Sequence, residues 1–178
     1  MLNDTHMQID LETLGTGPRA AIIAIGACTF NPQQGITSSF EVLVDPKKAT
    51  GERDKATELW WTQQEPLVRE RMFSGTATTK EALESLVEYI EKHKPHFLWA
   101  NSPSFDLVIL AASMKDWNIE IPWSHRIERD FRTLKSLGNE LRMDVNSFLS
   151  DNASKHDARE DAIQQSLVAI GILKRILR

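Results

Sequence analysis

Asp10 and Glu12 stand one residue apart in Ile9-Asp10-Leu11-Glu12-Thr13-Leu14-Gly15, near the start of a 178-residue chain. Alternate side chains of a strand share a face, so this spacing aims both carboxylates the same way. Two bare anions in that position repel each other, and a cation between them removes the conflict. Both are hard oxygen ligands, which suits magnesium or manganese better than a softer metal. Taken alone, the pair fits a solvated turn equally well, so the other chemistry-bearing residues must decide.

Two further acidic segments lie downstream. Asp106 ends Asn101-Ser102-Pro103-Ser104-Phe105-Asp106 and opens an apolar helical run, while Asp161 ends His156-Asp157-Ala158-Arg159-Glu160-Asp161 at the start of the last helix. Asp10, Glu12, Asp106 and Asp161, with His156 five residues before the last acid, resemble the DEDD superfamily of exonucleases in its histidine-bearing branch (DEDDh). The resemblance spans most of the chain. It runs closest to exonuclease VIII-like 3′–5′ exonucleases of bacteria and phages, through the first acidic motif, Ile25-Gly26-Ala27, Trp60-Trp61, Ser104-Phe105-Asp106, Arg132-Thr133-Leu134 and the His156/Asp161 spacing.

That resemblance implies a site. Asp10, Glu12, Asp106 and Asp161 would be the ligands of two divalent cations, Mg2+ or Mn2+, and acids gathered from three distant segments make sense only with cations among them. Two ions about 4 Å apart can clamp the attacking and leaving oxygens of an in-line phosphoryl displacement. The product would be a nucleoside 5′-monophosphate released from a 3′ end. An imidazole titrates near neutral pH, so His156 is expected to take the proton from the attacking water. His6, His93, His96 and His125 lack such a context and read as structural or solvated. Asp157 and Glu160 read as acids favoured by a helix N-terminus, with Asp157 the alternative candidate for the last ligand.

Around these acids the substrate-binding candidates are Thr13, Leu14, Gly15, Trp61, Asn101, Ser104, Phe105 and Arg132. In relatives the residues after the first acidic pair approach the terminal sugar and base, which makes Leu14 a candidate wedge; Gly15 fits a plain turn equally well. Trp60 and Trp61 are adjacent and cannot both face the core of a helix, so one is expected to be packed and the other to stack on a base or serve an oligomer interface. Asn101 and Ser104 are placed to hold a phosphate or a water, although loop chemistry also accounts for them. The Arg132 guanidinium would pair with phosphate or brace a site carboxylate, and Asp130 would stand behind the ligands.

The elements must bring these segments together. A chain that is 41% apolar and 26% charged has the balance of an ordinary globular domain with one core, and one domain over residues 1–178 is the expectation. Met7 to Leu11, Ala20 to Asn31 and Ile36 to Val44 read as three strands of an antiparallel meander, the second apolar on both faces. Helical periodicity follows over Ala56 to Phe73, broken at Glu65-Pro66, and over Thr79 to His93 with Thr79 as N-cap. Phe97 to Ala100 is a short buried strand, and Phe105 to Asp116 a helix. A short edge strand is expected within Pro122 to Arg129, then helices over Thr133 to Leu141 and Asp157 to Leu177, the last after a loop through 146–155. A meander followed by strand–helix units gives a mixed α/β sheet with helices on both faces, and the resemblance names it as ribonuclease H-like.

Charge and composition narrow the function classes. A net charge of −4 argues against a long electrostatic track along a polynucleotide, and four acids that bind cations account for it. A contact limited to a few nucleotides at a single-stranded 3′ end fits better, with DNA favoured over RNA. No apolar run approaches a membrane span and the first residues lack a signal-peptide pattern, so a cytoplasmic protein is expected. The lone Cys28 lies in an apolar stretch and reads as core. An exoribonuclease or an oligonucleotide-specific hydrolase would share the same site. An idle nucleic-acid-binding module is disfavoured, because all five catalytic positions are filled.

Overall fold

Ile22–Asn31 (β2) is buried along its whole length, and the sheet is built around it and the strand beside it. The structure, a computed structural model, describes residues 2–150 and 156–177. His6–Thr13 (β1) pairs antiparallel with β2, and β2 pairs antiparallel with Gly35–Leu43 (β3). Phe97–Ala100 (β4) then joins the other side of β1 in parallel, and Glu128–Asp130 (β5) joins β4 in parallel. The resulting order, β3-β2-β1-β4-β5, makes β1 the central strand of five. The expected meander and mixed sheet are therefore present.

Helices cover both faces. Lys55–Thr62 (α1) and Pro66–Met72 (α2) follow the meander, with Pro66 in the first turn of α2 as its fixed φ favours. Thr79–His93 (α3), Asp106–Asp116 (α4), Phe131–Glu140 (α5) and Ala158–Ile176 (α6) complete the set. Along β1 the alternation is strict: Met7, Ile9 and Leu11 face the core shared with Leu83, Leu86 and Ile90 of α3 and Leu107, Leu110 and Met114 of α4. Each such fully buried aliphatic side chain contributes about 1.5–3 kcal/mol of transfer free energy. The other parity, carrying Gln8, Asp10 and Glu12, turns toward α6, which packs across β1, β2 and β3. Phe30, Trp99, Val168, Ile172 and Leu173 form a second cluster on that side. A third, with Leu14, Ile23, Trp61, Met72 and Ala158, ties α1 and α2 to the start of α6.

At two helix starts side-chain hydrogen bonding explains the difference from the sequence expectation. Thr78, not Thr79, caps α3: its hydroxyl accepts from Glu81 N–H at 3.2 Å while the Glu81 carboxylate accepts from Thr78 N–H at 2.7 Å, a reciprocal box. Thr79 is turned inward and accepts from Thr50 N–H at 2.9 Å. Helix α5 begins two residues earlier than expected because the Asp130 carboxylate accepts from Arg132 N–H and Thr133 N–H at 2.9 and 3.3 Å. The part of the expected loop at 151–155 lies outside the described residues. Among the described residues no helix is long and apolar enough to cross a membrane.

Candidate active site

Gly26 is opposite Asp10 in the β1/β2 register, and its missing side chain decides how closely α6 approaches. A Cβ built on Gly26 would lie 2.1 Å from the Ala158 carbonyl, so only glycine admits the first turn of α6 against the sheet at this point. The helix start is thereby held over the end of β1. Asp161 and Gln165, one turn apart, then share the face that meets Asp10. Gln165 Nε2 donates to Asp10 Oδ1 at 2.8 Å, and Gln8 Nε2 donates to Gln165 Oε1 at 2.6 Å. Gln165 was not singled out from the sequence. Its signal was there, in the four-residue offset from Asp161.

The third segment arrives through α4. Asp106 is its first residue, is 3% exposed, and accepts from Leu11 N–H at 3.2 Å, which pins α4 to the backbone between the two β1 acids. The structure thus brings Asp10, Glu12, Asp106 and Asp161 to one place, close enough to perturb one another. Burial and then the charges of Asp106, Glu12 and Asp161 hold the Asp10 carboxyl well above the usual carboxylate range. Burial, followed by the charges of Asp161 and Asp106, pushes Glu12 up to about 8. Burial raises Asp106 to about 6, against the opposing pull of its hydrogen bonds and of the Arg132 charge. Without cations Asp10, Glu12 and Asp106 hold their protons to higher pH than free carboxyls do. With oxygen donors from four carboxylates, the group fits hard divalent ions.

His156 joins from the residue before the α6 cap. Its φ of +62° is a left-handed conformation that histidine tolerates better than most side chains, and its N–H donates to Asp161 Oδ2 at 3.2 Å. Ligand atoms of Glu12, His156 and Asp161 all lie within 4.8 Å of one another, the metal-competent group found among the described residues. Beside them opens a cleft of about 750 Å³, lined by Glu12, Thr13, Gly15, Thr57, Trp60 and Phe105 among others.

Several candidates fall where contact with a terminal nucleotide is possible, and two do not. Thr13, Gly15 and Phe105 line the cleft. Arg132 is exposed at the start of α5, near enough to lower the Asp106 pKa. Asn101 is half-buried and Ser104 exposed on the loop before α4, where the Ser104 hydroxyl is 3.0 Å from that of Ser102. Leu14 is fully buried against Ala21, Ile23, Ala24 and Trp61, so it has no surface to wedge against a base. Trp61 is 1% exposed, and its indole N–H donates to the Thr13 carbonyl at 2.9 Å. That bond makes it an anchor of α1 and not a stacking surface. The accessible ring is Trp60, 37% exposed and edge-on to His156 at 4.8 Å between centroids.

Other charged neighbours have structural duties. Asp157 is buried, caps α6 by accepting from Glu160 N–H at 3.1 Å, and is paired with Arg71 of α2, so its lone pairs are committed away from the acids. Asp130 is the α5 cap described above. His6 is buried in stacked contact with Phe30 and accepts from the Trp99 indole at 3.0 Å, and Cys28 is buried.

Comparison with known proteins agrees with this layout. The family model for the 3′-5′ exoribonuclease Rv2179c-like domain matches residues 5–173. An exodeoxyribonuclease of Enterobacteria phage T4 is 29% identical over 124 residues, which is 61% of this chain and 55% of the phage protein. The chain therefore spans about half the length of the curated relative it matches. Among solved structures, cell-death related nuclease 4 superposes with a TM-score of 0.66 at 17% identity, over 99% of this chain and 64% of that one. The nuclease domain of 3′hExo, a DEDDh family member bound to rAMP, gives 0.60 at 14% identity, over 98% and 92%. At such identities these two speak for the fold, which is ribonuclease H-like. The match along nearly the whole sequence decides the rest: the chain belongs to the 3′-5′ exoribonuclease Rv2179c-like domain family.

Proposed function

We propose that this protein is a metal-dependent 3′–5′ exonuclease that removes nucleoside 5′-monophosphates from single-stranded ends. The observation that carries the reading is the convergence of Asp10, Glu12, Asp106 and Asp161 near His156, beside a cleft that Glu12 lines. The four carboxylates would hold two divalent cations, Mg2+ or Mn2+. When bound, the cations would neutralise charge on the scissile phosphate and favour ionisation of the attacking water. Gln165 holds the Asp10 carboxylate in orientation through its amide, and Leu11 N–H does the same for Asp106. His156 accepts the proton of the water as it attacks. Thr13, Gly15, Phe105 and Trp60 receive the terminal nucleotide, with Arg132 facing phosphate from the α5 side.

DNA is the favoured substrate, on the likeness to the phage exodeoxyribonuclease; RNA is the second reading, favoured by the description of the matching family. The two are separated by incubating 5′-labelled single-stranded DNA, duplex DNA and single-stranded RNA with the protein in Mg2+, Mn2+ or EDTA. Stepwise shortening from the 3′ end, in metal only and faster on single-stranded DNA, is expected. Shortening from the 5′ end, or activity undiminished by EDTA, overturns the reading.

Stability should respond to pH and metal together. Asp10, Glu12 and Asp106 have folded-state values raised above those of the unfolded chain, so the folded protein binds more protons than the unfolded one from about pH 4 to about pH 8. Their contribution is fully present below the unfolded values and is lost as pH rises through the folded ones. In EDTA, Tm should fall between pH 5 and 8 by way of these groups. Cations compete with those protons, so the rise in Tm on adding Mn2+ should be larger at pH 8 than at pH 6. Thermal melts in both buffers check this, and a metal-induced rise that shrinks with pH contradicts it.

A further inference from the structure

Trp60 lines the cleft and touches the His156 imidazole, and its neighbours are of different kinds. Its position along the chain is fixed from beneath: Asp54 caps α1, and the buried Trp61 indole is bonded to the Thr13 carbonyl, next to Glu12. The Trp60 ring meets Trp61 edge-on at 5.0 Å and His156 edge-on at 4.8 Å, with interplanar angles of 76° and 88°. Over a third of the residue remains exposed, and it lines the cleft together with Thr13 and Phe105.

The His156 backbone is held by other means. Its N–H is on Asp161, and the following residue, Asp157, is gripped by Arg71, which also reaches Glu41 of β3 at 2.6 Å. These contacts fix where the turn lies, and none of them is made by the imidazole itself. The ring of Trp60 bears on the imidazole edge-on at 4.8 Å, while a ring nitrogen lies within 4.8 Å of a Glu12 and an Asp161 carboxylate oxygen. A perpendicular aromatic pair has a preferred geometry, and constraining one ring constrains the other.

Building on the proposed exonuclease function, we infer that Trp60 couples occupancy of the cleft to alignment of the base: a terminal nucleobase stacked on its open face immobilises the indole, and the immobilised indole sets the rotamer of His156. Trp60 is in this respect a positioning residue for His156. A ragged or baseless 3′ end that fails to reach Trp60 is bound without a correctly aimed imidazole and is turned over slowly. The device makes hydrolysis depend on a base being present at the end of the chain without reading which base it is, because stacking accepts any of them.

The test compares wild type, Trp60→Phe and Trp60→Ala on single-stranded oligonucleotides with an ordinary or an abasic 3′-terminal residue, at saturating substrate. Misaiming a catalytic group by about 1 Å costs on the order of 10²-fold, so Trp60→Ala is expected to lower kcat by about ten- to a hundredfold. Trp60→Phe keeps a perpendicular ring and should stay within about threefold of wild type. The abasic end should lower kcat of the wild type and leave that of Trp60→Ala unchanged. If Trp60→Ala raises KM and keeps the wild-type kcat, Trp60 is a stacking surface only and the coupling is wrong. Equal kcat losses on the abasic end in both proteins also overturn it. An independent reading needs no turnover: the His156 imidazole NMR signals should move on Trp60→Ala substitution, through loss of the ring current, and unmoved signals refute the pairing. A wild type active on no 3′ end, with the NMR shift present, rejects the exonuclease reading and leaves the ring pairing intact.

Discussion

Asp10→Asn should lower exonuclease activity about 10³-fold or more while making the metal-free protein more resistant to heat. Burial and then the charges of Asp106, Glu12 and Asp161 raise the Asp10 pKa, and Gln165 donates to its carboxyl. An asparagine there keeps the carbonyl that accepts from Gln165 and discards the charge that the other acids oppose. Cations pull the other way: they need that charge. A metal clamp on an in-line displacement supplies several kcal/mol, and each 1.4 kcal/mol is tenfold, so the expected loss is about 10³-fold or more in kcat. Titration with Mn2+, followed by calorimetry or by the rise in Tm, should show weakened or absent binding. The opposed signs separate an active-site acid from a structural one, since sites that store electrostatic strain lose stability for activity. A variant that kept activity, or that unfolded more readily in EDTA than the wild type, would remove Asp10 from the metal group.

The acids were the legible part of the site because their signal is geometric and local. Strand alternation put Asp10 and Glu12 on one face whatever surrounded them, and β1 does present both toward α6. The helix start at Asp106 was legible as an acid opening an apolar run, whereas the ribonuclease H-like arrangement came through the family resemblance, which carries long-range information that periodicity lacks. Where the outcome hung on what packs against a residue, the chain alone was mute. Adjacency of Trp60 and Trp61 said that they diverge, but which one is buried depends on Thr13 offering a carbonyl across 48 positions. Leu14 follows the acids in sequence and looks like a cleft residue, yet the turn after β1 directs it into the cluster with Ile23 and Trp61. Gly26 read as part of a motif without a reason; the reason is the close approach of α6 at Ala158. Thr78 and Asp130 were within reach, since an acid or hydroxyl that caps free N–H groups is a short-range signal.

His156→Ala should lower kcat by about 10²–10⁴-fold, the usual worth of a general base, and leave Mn2+ binding within a few-fold of wild type. The competing assignment is specific, because a His156 ring nitrogen lies within 4.8 Å of a Glu12 and an Asp161 oxygen and imidazole can itself ligate a cation. Donor chemistry argues against ligation. Magnesium and manganese select oxygen, and four carboxylates already supply it, whereas a water attacking phosphorus still lacks an acceptor for its proton. Location agrees. His156 is edge-on to Trp60, which lines the cleft together with Glu12. Two measurements then divide the readings. A base variant loses the low-pH limb of its kcat profile, regains rate when imidazole is added, and binds Mn2+ normally. A ligand variant loses affinity for the cation, recovers rate at high Mn2+, and gains nothing from imidazole; that second pattern would move His156 into the metal group and leave the proton transfer to solvent.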